Sequence, residues 1–170
     1  MGTDRCPVSN ANRMRTVIPA VLFELRKENP DMSVVAGKRS EGDLKVITVS
    51  GDLCDYTLQI TSAEKHFPKR YRWSITNRIV QTALDIDDHL IHANSVYVRD
   101  GDGSLLRRQT HQLEALELTY VLLRNIDRAY RRFGVDSFNI EHWTQLIMNL
   151  QRLIRGWYQK DKDRYESING

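Results

Sequence analysis

The second half of the chain carries apolar residues at helical spacing over three long stretches. In residues 68–98 the apolar positions alternate at intervals of four and three, at Ile79, Ala83, Ile86, Leu90, Ala93 and Tyr97. In residues 104–133 a heptad-like series consists of Leu106, Leu113, Leu116, Tyr120, Leu123 and Tyr130. After residue 137 the same pattern returns at Ile140, Trp143, Ile147, Leu150, Ile154 and Trp157. Residues at this spacing share one helical face, so the pattern predicts three amphipathic helices packed in a bundle.

Turn and capping residues separate these helices. The Asp and Gly residues at 100–103 predict a loop, with Ser104 as the N-cap of the next helix. Gly134 suits the left-handed position just after a helix, and Asp136 and Ser137 can cap the helix that follows. All four prolines lie within the first 68 residues, and Pro68 fits the first turn of a helix.

One further helix is predicted upstream, at residues 52–64, with Ser50 as its cap and Leu53, Tyr56 and Ile60 on its apolar face. Four helices with short connections predict an all-α fold, an antiparallel up-and-down four-helix bundle over residues 49–166. Residues 1–48 read as an N-terminal extension with a short helix at 19–29, loop-like residues at 34–43 and strand-like composition at 44–49. We expect this extension to dock on the bundle or on a partner.

Composition narrows the class of protein. The 170 residues suit one compact domain, and the formal net charge of +3 does not by itself indicate a nucleic-acid partner. Two cysteines, Cys6 and Cys54, are too few for a disulfide framework and match no metal-ligand spacing. No apolar run approaches the length of a membrane span, so we expect a soluble, cytoplasmic protein that does not associate with a membrane.

Cations and aromatic residues are concentrated in residues 65–78, where no acid occurs. The residues concerned are Lys65, Lys69, Arg70, Arg72, Trp73 and Arg78. Cations in the first turn of a helix oppose the helix dipole, each at a cost of about 0.3–1 kcal/mol. A positive helix start with added cations attracts phosphate, and an aromatic side chain among them can stack on a base. The alternative is a solvated basic turn whose arginines pair with neighbouring acids, and both interpretations stay open.

Two further groups of cations occur on the later helices. Arg152, Arg155 and Lys162 lie near the end of the fourth helix, and we expect them to join the basic start of the second helix in one patch. Arg124, Arg128 and Arg131 form a stripe in the last turns of the third helix, where the dipole favours cations, and we expect that stripe to lie at a distance from the patch.

Several short motifs occur in a fixed order along these helices. They are Asp55-Tyr56-Thr57, Phe67-Pro68-Lys69 followed by Arg72, Asn77-Arg78-Ile79, Ala83-Leu84-Asp85, Ala93, and Leu153-Ile154-Arg155-Gly156-Trp157. In this order, over roughly residues 50–160, the chain resembles the accessory variability determinant proteins of diversity-generating retroelements, which are related to proteins encoded in intervening sequences of bacterial 23S rRNA genes. The resemblance implies a basic, barrel-like homopentamer that associates with a reverse transcriptase and its template RNA. It further implies support of cDNA synthesis in retrohoming, without a catalytic role.

Metal and catalytic motifs are weak by comparison. Asp85, Asp88, His89 and His92 share one face of the second helix, and the only candidate partners elsewhere are His111 and Glu114. A di-iron bundle would need paired Glu-x-x-His motifs, which are missing from the sequence. There is also no Gly-rich phosphate loop, nucleophile elbow or paired-cysteine motif, so we predict no catalytic residue, metal or cofactor.

Three hypotheses follow: a nucleic-acid-binding accessory protein, a protein-only assembly module, and, as the weakest, a metal-dependent bundle enzyme. Either of the first two predicts self-association through a second apolar face on the second and third helices. The residues assigned to that face are Val80, Leu84, Ile91, Leu118, Leu122 and Ile126.

Overall fold

The computed structural model describes residues 41–98 and 103–166, which contain four α-helices and no strand. Helix α1 spans Glu41–Ser62, α2 spans Asn77–Ser95, α3 spans Ser104–Phe133 and α4 spans Ser137–Glu166. The predicted all-α class is therefore confirmed for this part of the chain. The predicted helix at 19–29 and the loop at 100–102 lie outside the described residues.

Helix α1 begins at Glu41, well before the predicted start near residue 52, so the predicted division between residues 48 and 49 falls inside it. The additional turns at the start of α1 extend its buried face upstream. Val46, Ser50 and Leu53 follow one another at intervals of four and three, and all three are buried. Ser50 is not a cap: its hydroxyl donates to the Ile47 carbonyl within the helix and also contacts Asp87 of α2. Packing of this face overrides the strand-like composition of residues 44–49.

The chain enters α2 through two short helical segments. A 3₁₀ turn, Lys69–Tyr71, begins directly after Pro68, and a π turn, Arg72–Thr76, leads into α2. The predicted boundary at Pro68 is thus confirmed, but the α-helix itself starts at Asn77, after these two turns. It ends at Ser95, three residues before the predicted end. The predicted core residues of α2 are all buried except Tyr97, which lies beyond the helix and is exposed.

Helix α3 has the predicted bounds, but a different face points into the core. Most of its buried side chains are small or polar, and only Leu122 and Ile126 are large and apolar. The buried set is Ser104, Gln112, Ala115, Thr119, Leu122, Asn125, Ile126 and Ala129. Three members of the predicted core series are exposed instead, Leu106 by 69%, Leu113 by 42% and Tyr120 by 50%. Tyr130 is exposed as well, while Leu116 and Leu123 are only half-buried.

Hydrogen bonds to α4 explain this orientation of α3. The Gln112 amide donates to Asp161 over 2.8 Å, and the Gln151 amide donates to the Thr119 hydroxyl over 2.8 Å. All four side chains are buried, and a buried polar group left without a partner costs about 1–3 kcal/mol. The face of α3 that carries Gln112 and Thr119 therefore points into the core, where α4 supplies hydrogen-bond partners. The face that carries the heptad series points away from it.

Two glycines and Asp136 define the two ends of α3 and the start of α4. Gly103, in the left-handed conformation at φ 71°, occupies the N-cap of α3, so Ser104 is the first helical residue and not the cap. Gly134 ends α3 at φ 65°, with its N–H donating to the Tyr130 carbonyl over 3.0 Å. Asp136 caps α4 by accepting a hydrogen bond of 2.8 Å from the Phe138 N–H. Both of these match the sequence prediction.

The apolar stripe of α4 forms one wall of the core, as predicted. Trp143, Ile147, Leu150, Ile154 and Trp157 are all buried. The Trp143 indole N–H donates to the hydroxyl of Thr57 on α1 over 3.0 Å, which gives this large side chain a polar partner inside the core.

Each helix packs against two others, α1 against α2 and α4, and α3 against α2 and α4. The result is a four-helix, bundle-like fold with a shared core. Within the described ranges, no helix combines the length and the apolar character that crossing a membrane requires.

Candidate nucleic-acid interface

Phe67 fixes the connection between α1 and α2. Its side chain is buried and its ring meets Phe133, at the end of α3, edge-on at 5.6 Å, and Trp143, near the start of α4, at 6.4 Å. Since Pro68 follows directly, the 3₁₀ turn starts at a defined place beside the end of α3.

The cations of this segment point outward. Lys65, Lys69, Arg70, Arg72 and Arg78 are all exposed, and no acid lies in the first turn of either short helical segment. Lys69 forms an ion pair with Glu64 at 2.8 Å. Within the part of the chain that the structure describes, the other four cations have no acidic partner. Among the described residues, pairing with neighbouring acids, the alternative interpretation of this segment, therefore applies only to Lys69.

Trp73 is the most exposed large apolar side chain of the described residues, with 83% of its surface accessible. It lies in the π turn beside Arg72, and Arg70 stacks over the Tyr71 ring at 4.8 Å from its centroid. Burying a large apolar side chain stabilises a protein by about 1.5–3 kcal/mol, and the exposed indole forgoes this contribution. This tryptophan is available to stack on a base or to pack against another protein surface.

Tyr71 connects the 3₁₀ turn to the last turn of α3. Its hydroxyl accepts a hydrogen bond of 3.0 Å from Arg132, whose guanidinium lies 5.5 Å from the Tyr71 ring centroid. The Tyr71 ring also packs on Phe133 at 5.0 Å. The hydrogen bond from Arg132 lowers the pKa of Tyr71 below its ordinary value, and the nearby charges of Arg132 and Arg70 act in the same direction.

Arg132 therefore joins the basic start of the second helical region, and the predicted grouping with Arg152, Arg155 and Lys162 is wrong. Arg155 donates a hydrogen bond to Tyr120, which is twelve residues before Arg132 on α3. At 1.5 Å per residue, Tyr120 lies about 18 Å along α3 from Arg132, so Arg155 contacts a part of α3 that is distant from Arg132. The start of the second helical region lies beside the end of α3, and not beside the end of α4 as the sequence predicts. The apolar Phe67 before Pro68 makes this contact through Phe133 and is the sequence signal for it.

The other arginines at the end of α3 are engaged within the helix. Arg124 and Arg131 both pair with Asp127, at 3.2 and 2.9 Å, and Arg128 donates to Asn125 at 3.2 Å. These contacts indicate that the stripe acts within the fold of α3. On α4, Arg152 donates to Asn149 at 2.8 Å and remains exposed, while Lys162 is half-buried.

We define the basic helix entry as Lys69, Arg70, Arg72, Trp73 and Arg132. It combines exposed cations with an exposed indole on a short backbone segment held in place by Phe67 and Tyr71. Lys65 and Arg78 flank it in sequence. This arrangement can contact phosphates through the guanidinium and ammonium groups and a base through the indole.

A second cluster of polar side chains lies between α2 and α3. The structure brings together three of the six residues considered as metal ligands, His89, His111 and Glu114. His92 stacks on His111, with ring centroids 5.4 Å apart, and Asp85 accepts a hydrogen bond from Gln81.

The cysteine in the described part of the chain is not a nucleophile. Cys54 is buried, its thiol lies 3.1 Å from the Ala83 carbonyl, and burial raises the pKa of that thiol to about 12. It therefore stays protonated at neutral pH.

No family model, curated protein or solved structure matches this chain. The resemblance to accessory variability determinant proteins therefore rests on the sequence motifs alone.

The Tyr71–Arg132 contact gives a direct test of how the basic helix entry meets α3. We expect Arg132→Gln to raise the pKa of Tyr71 towards the ordinary tyrosine value, because the charged hydrogen bond that stabilises the phenolate is lost. Titration of ¹³C-labelled tyrosine rings by NMR measures this. Arg131→Gln is the matched control, since Arg131 pairs with Asp127. Equal Tyr71 pKa values in the two variants would contradict the contact.

Proposed function

We propose that this chain is a non-enzymatic, nucleic-acid-binding accessory protein. Its proposed role is to partner a reverse transcriptase and its template RNA in cDNA synthesis and retrohoming of a diversity-generating retroelement. The observation that carries nucleic-acid binding is the basic helix entry, where an exposed Trp73 lies beside exposed Arg70 and Arg72. The reverse transcriptase, the template RNA and the cDNA are proposed on the basis of the family resemblance alone.

The energetics of the basic helix entry favour binding over stability. Lys69, Arg70 and Arg72 are crowded on one short segment without an acid in its first turns, and Trp73 is left in water. Neither the clustering of the cations nor the exposure of the indole stabilises the isolated fold. Both become favourable against a phosphate backbone, where cations release counterions and base–aromatic stacking contributes about 1–3 kcal/mol per base.

We further propose the antiparallel up-and-down arrangement of the four helices. In three of the four packed pairs, α1 with α2, α2 with α3 and α3 with α4, the residue number rises on one helix as it falls on the other. The supporting contacts are Ser50–Asp87 and Cys54–Ala83, Tyr71–Arg132 and His89–His111, and Gln112–Asp161 and Thr119–Gln151.

Self-association is the second part of the proposal. Leu106, Leu113 and Tyr120 recur every seven residues on α3 and form an exposed apolar row. A row of this kind is a typical contact surface between copies of a helical protein. The resemblance supplies the expected number of five subunits.

The face predicted from sequence for this contact differs from the row. Leu122 and Ile126 are in the core, which excludes them from any outer face, because α3 is rotated relative to the predicted register. Leu84 and Ile91 of α2 are exposed as predicted, while Val80 and Leu118 are half-buried.

A protein-only assembly module is the alternative function. It is favoured by the same apolar row together with the Lys69–Glu64 ion pair, which uses one cation of the basic helix entry within the chain. In that case the remaining cations contact acids of a neighbouring subunit.

Replacing Lys69, Arg70 and Arg72 together by Gln separates the two functions. We expect RNA and DNA binding to weaken almost uniformly across sequences, because phosphate contacts position a protein without reading bases. The slope of log affinity against log salt should fall by up to about 0.9 per lost duplex-DNA contact. A salt titration by fluorescence anisotropy measures both, with circular dichroism to confirm the fold.

Arg152, Arg155 and Lys162, replaced together by Gln, are the matched control for charge. This second variant tests whether the α4 cations also contact nucleic acid, and we expect the smaller loss from it. Unchanged binding by the first variant, together with dissociation of its oligomer, would contradict the nucleic-acid function and support the assembly module.

The apolar row predicts the effect of polar substitutions on assembly. We expect the parent protein to sediment as an oligomer and the double variant Leu106→Gln, Leu113→Gln to sediment as a smaller species with unchanged helicity. Leu58→Gln, at an exposed leucine of α1, is the control. Analytical ultracentrifugation measures the masses. A parent protein that is monomeric throughout the micromolar range would refute the assembly proposal.

A further inference from the structure

Three donor atoms from two helices converge between α2 and α3. His89 Nδ1 lies 3.1 Å from His111 Nδ1 and 3.1 Å from Glu114 Oε2, and His111 Nδ1 lies 3.5 Å from the same Glu114 oxygen. His111 and Glu114 are three residues apart on α3, so their side chains lie on one side of that helix and face His89 of α2. The donor atoms form a nearly equilateral triangle.

The size of this triangle matches one face of a zinc coordination tetrahedron. Zinc binds imidazole nitrogen at about 2.0–2.1 Å and carboxylate oxygen at about 2.0–2.2 Å, which places neighbouring ligands about 3.3–3.4 Å apart in a tetrahedron. The three observed separations, 3.1, 3.1 and 3.5 Å, lie close to this value on either side. An octahedral magnesium site would need ligands about 2.9 Å apart, and oxygen donors in place of imidazole.

The chemistry of the donors favours the same ion. Two imidazoles and one carboxylate suit borderline divalent metals such as zinc, and three protein ligands leave a fourth position for water. All three residues keep partial access to solvent, since the two histidines are half-buried and Glu114 is exposed, so a metal ion can reach them.

We propose that His89, His111 and Glu114 bind one divalent zinc-type cation that clamps α2 to α3. This site is separate from the basic helix entry, and its existence does not depend on the proposed nucleic-acid function. Without metal, the same three side chains form a hydrogen-bonded cluster, in which one imidazole N–H donates to the other ring or to the carboxylate. The two states differ in metal stoichiometry and in the effect of zinc on stability.

Titration of the chelator-treated full chain with zinc chloride tests the proposal. We expect isothermal calorimetry to saturate at one zinc per chain, and cobalt(II) to give the intense visible absorption of a tetrahedral site. Zinc should also raise the melting temperature, because it binds the folded state. His111→Asn, with Glu114→Gln as a second variant, should weaken zinc binding by about 100-fold or more, since even outer-shell changes cost 10–100-fold.

His142→Asn is the matched control, because His142 is an exposed histidine of α4 that lies against Tyr56. It should bind zinc as the parent does. The proposal is overturned if the folded parent shows no saturable zinc binding, or if the three variants and the parent bind zinc equally. Helicity measured by circular dichroism in every variant separates loss of the site from loss of the fold.

Discussion

The orientation of α3 about its own axis is the constraint on which the rest of the structure depends. Two buried hydrogen bonds to α4 set it, Gln112 to Asp161 and Gln151 to Thr119. Turning α3 to bury Leu113 and Tyr120 would gain about 1.5–3 kcal/mol for each large side chain. The same turn would carry Leu122 and Ile126 out of the core, which loses a similar amount. It would also separate both hydrogen-bonded pairs and leave the buried Gln151 amide without the Thr119 hydroxyl, at a cost of about 1–3 kcal/mol.

This orientation places each of the three proposed functional surfaces. It directs Arg132 to Tyr71 and so completes the basic helix entry at the end of α3. It turns His111 and Glu114 towards α2, where His89 meets them. It also leaves the apolar row on the outside, available to another copy of the chain. The basic helix entry, the proposed metal site and the apolar row therefore all depend on how α3 packs.

The sequence predicts the helices better than their faces. Capping residues act through local backbone contacts, so Gly134 predicts the end of α3 and Asp136 the start of α4 whatever the core packing is. The face of α3 and the first turns of α1 were predicted wrongly for one shared reason. Ser50 and Thr119 are polar core residues whose partners lie on other helices, and a pattern of apolar spacing cannot count them. The convergence of Arg132 with Tyr71 depends on tertiary contacts in the same way.

A double-mutant cycle between Thr119 and Gln151 tests the orientation of α3 most directly. The free energy of unfolding is measured in urea for the parent protein, Thr119→Val, Gln151→Met and the double variant. The orientation described here predicts a coupling energy of about 1 kcal/mol, because each single change leaves a buried partner unsatisfied and the double change removes both. Additive effects, with no coupling between the two positions, would contradict this orientation and the surfaces that depend on it.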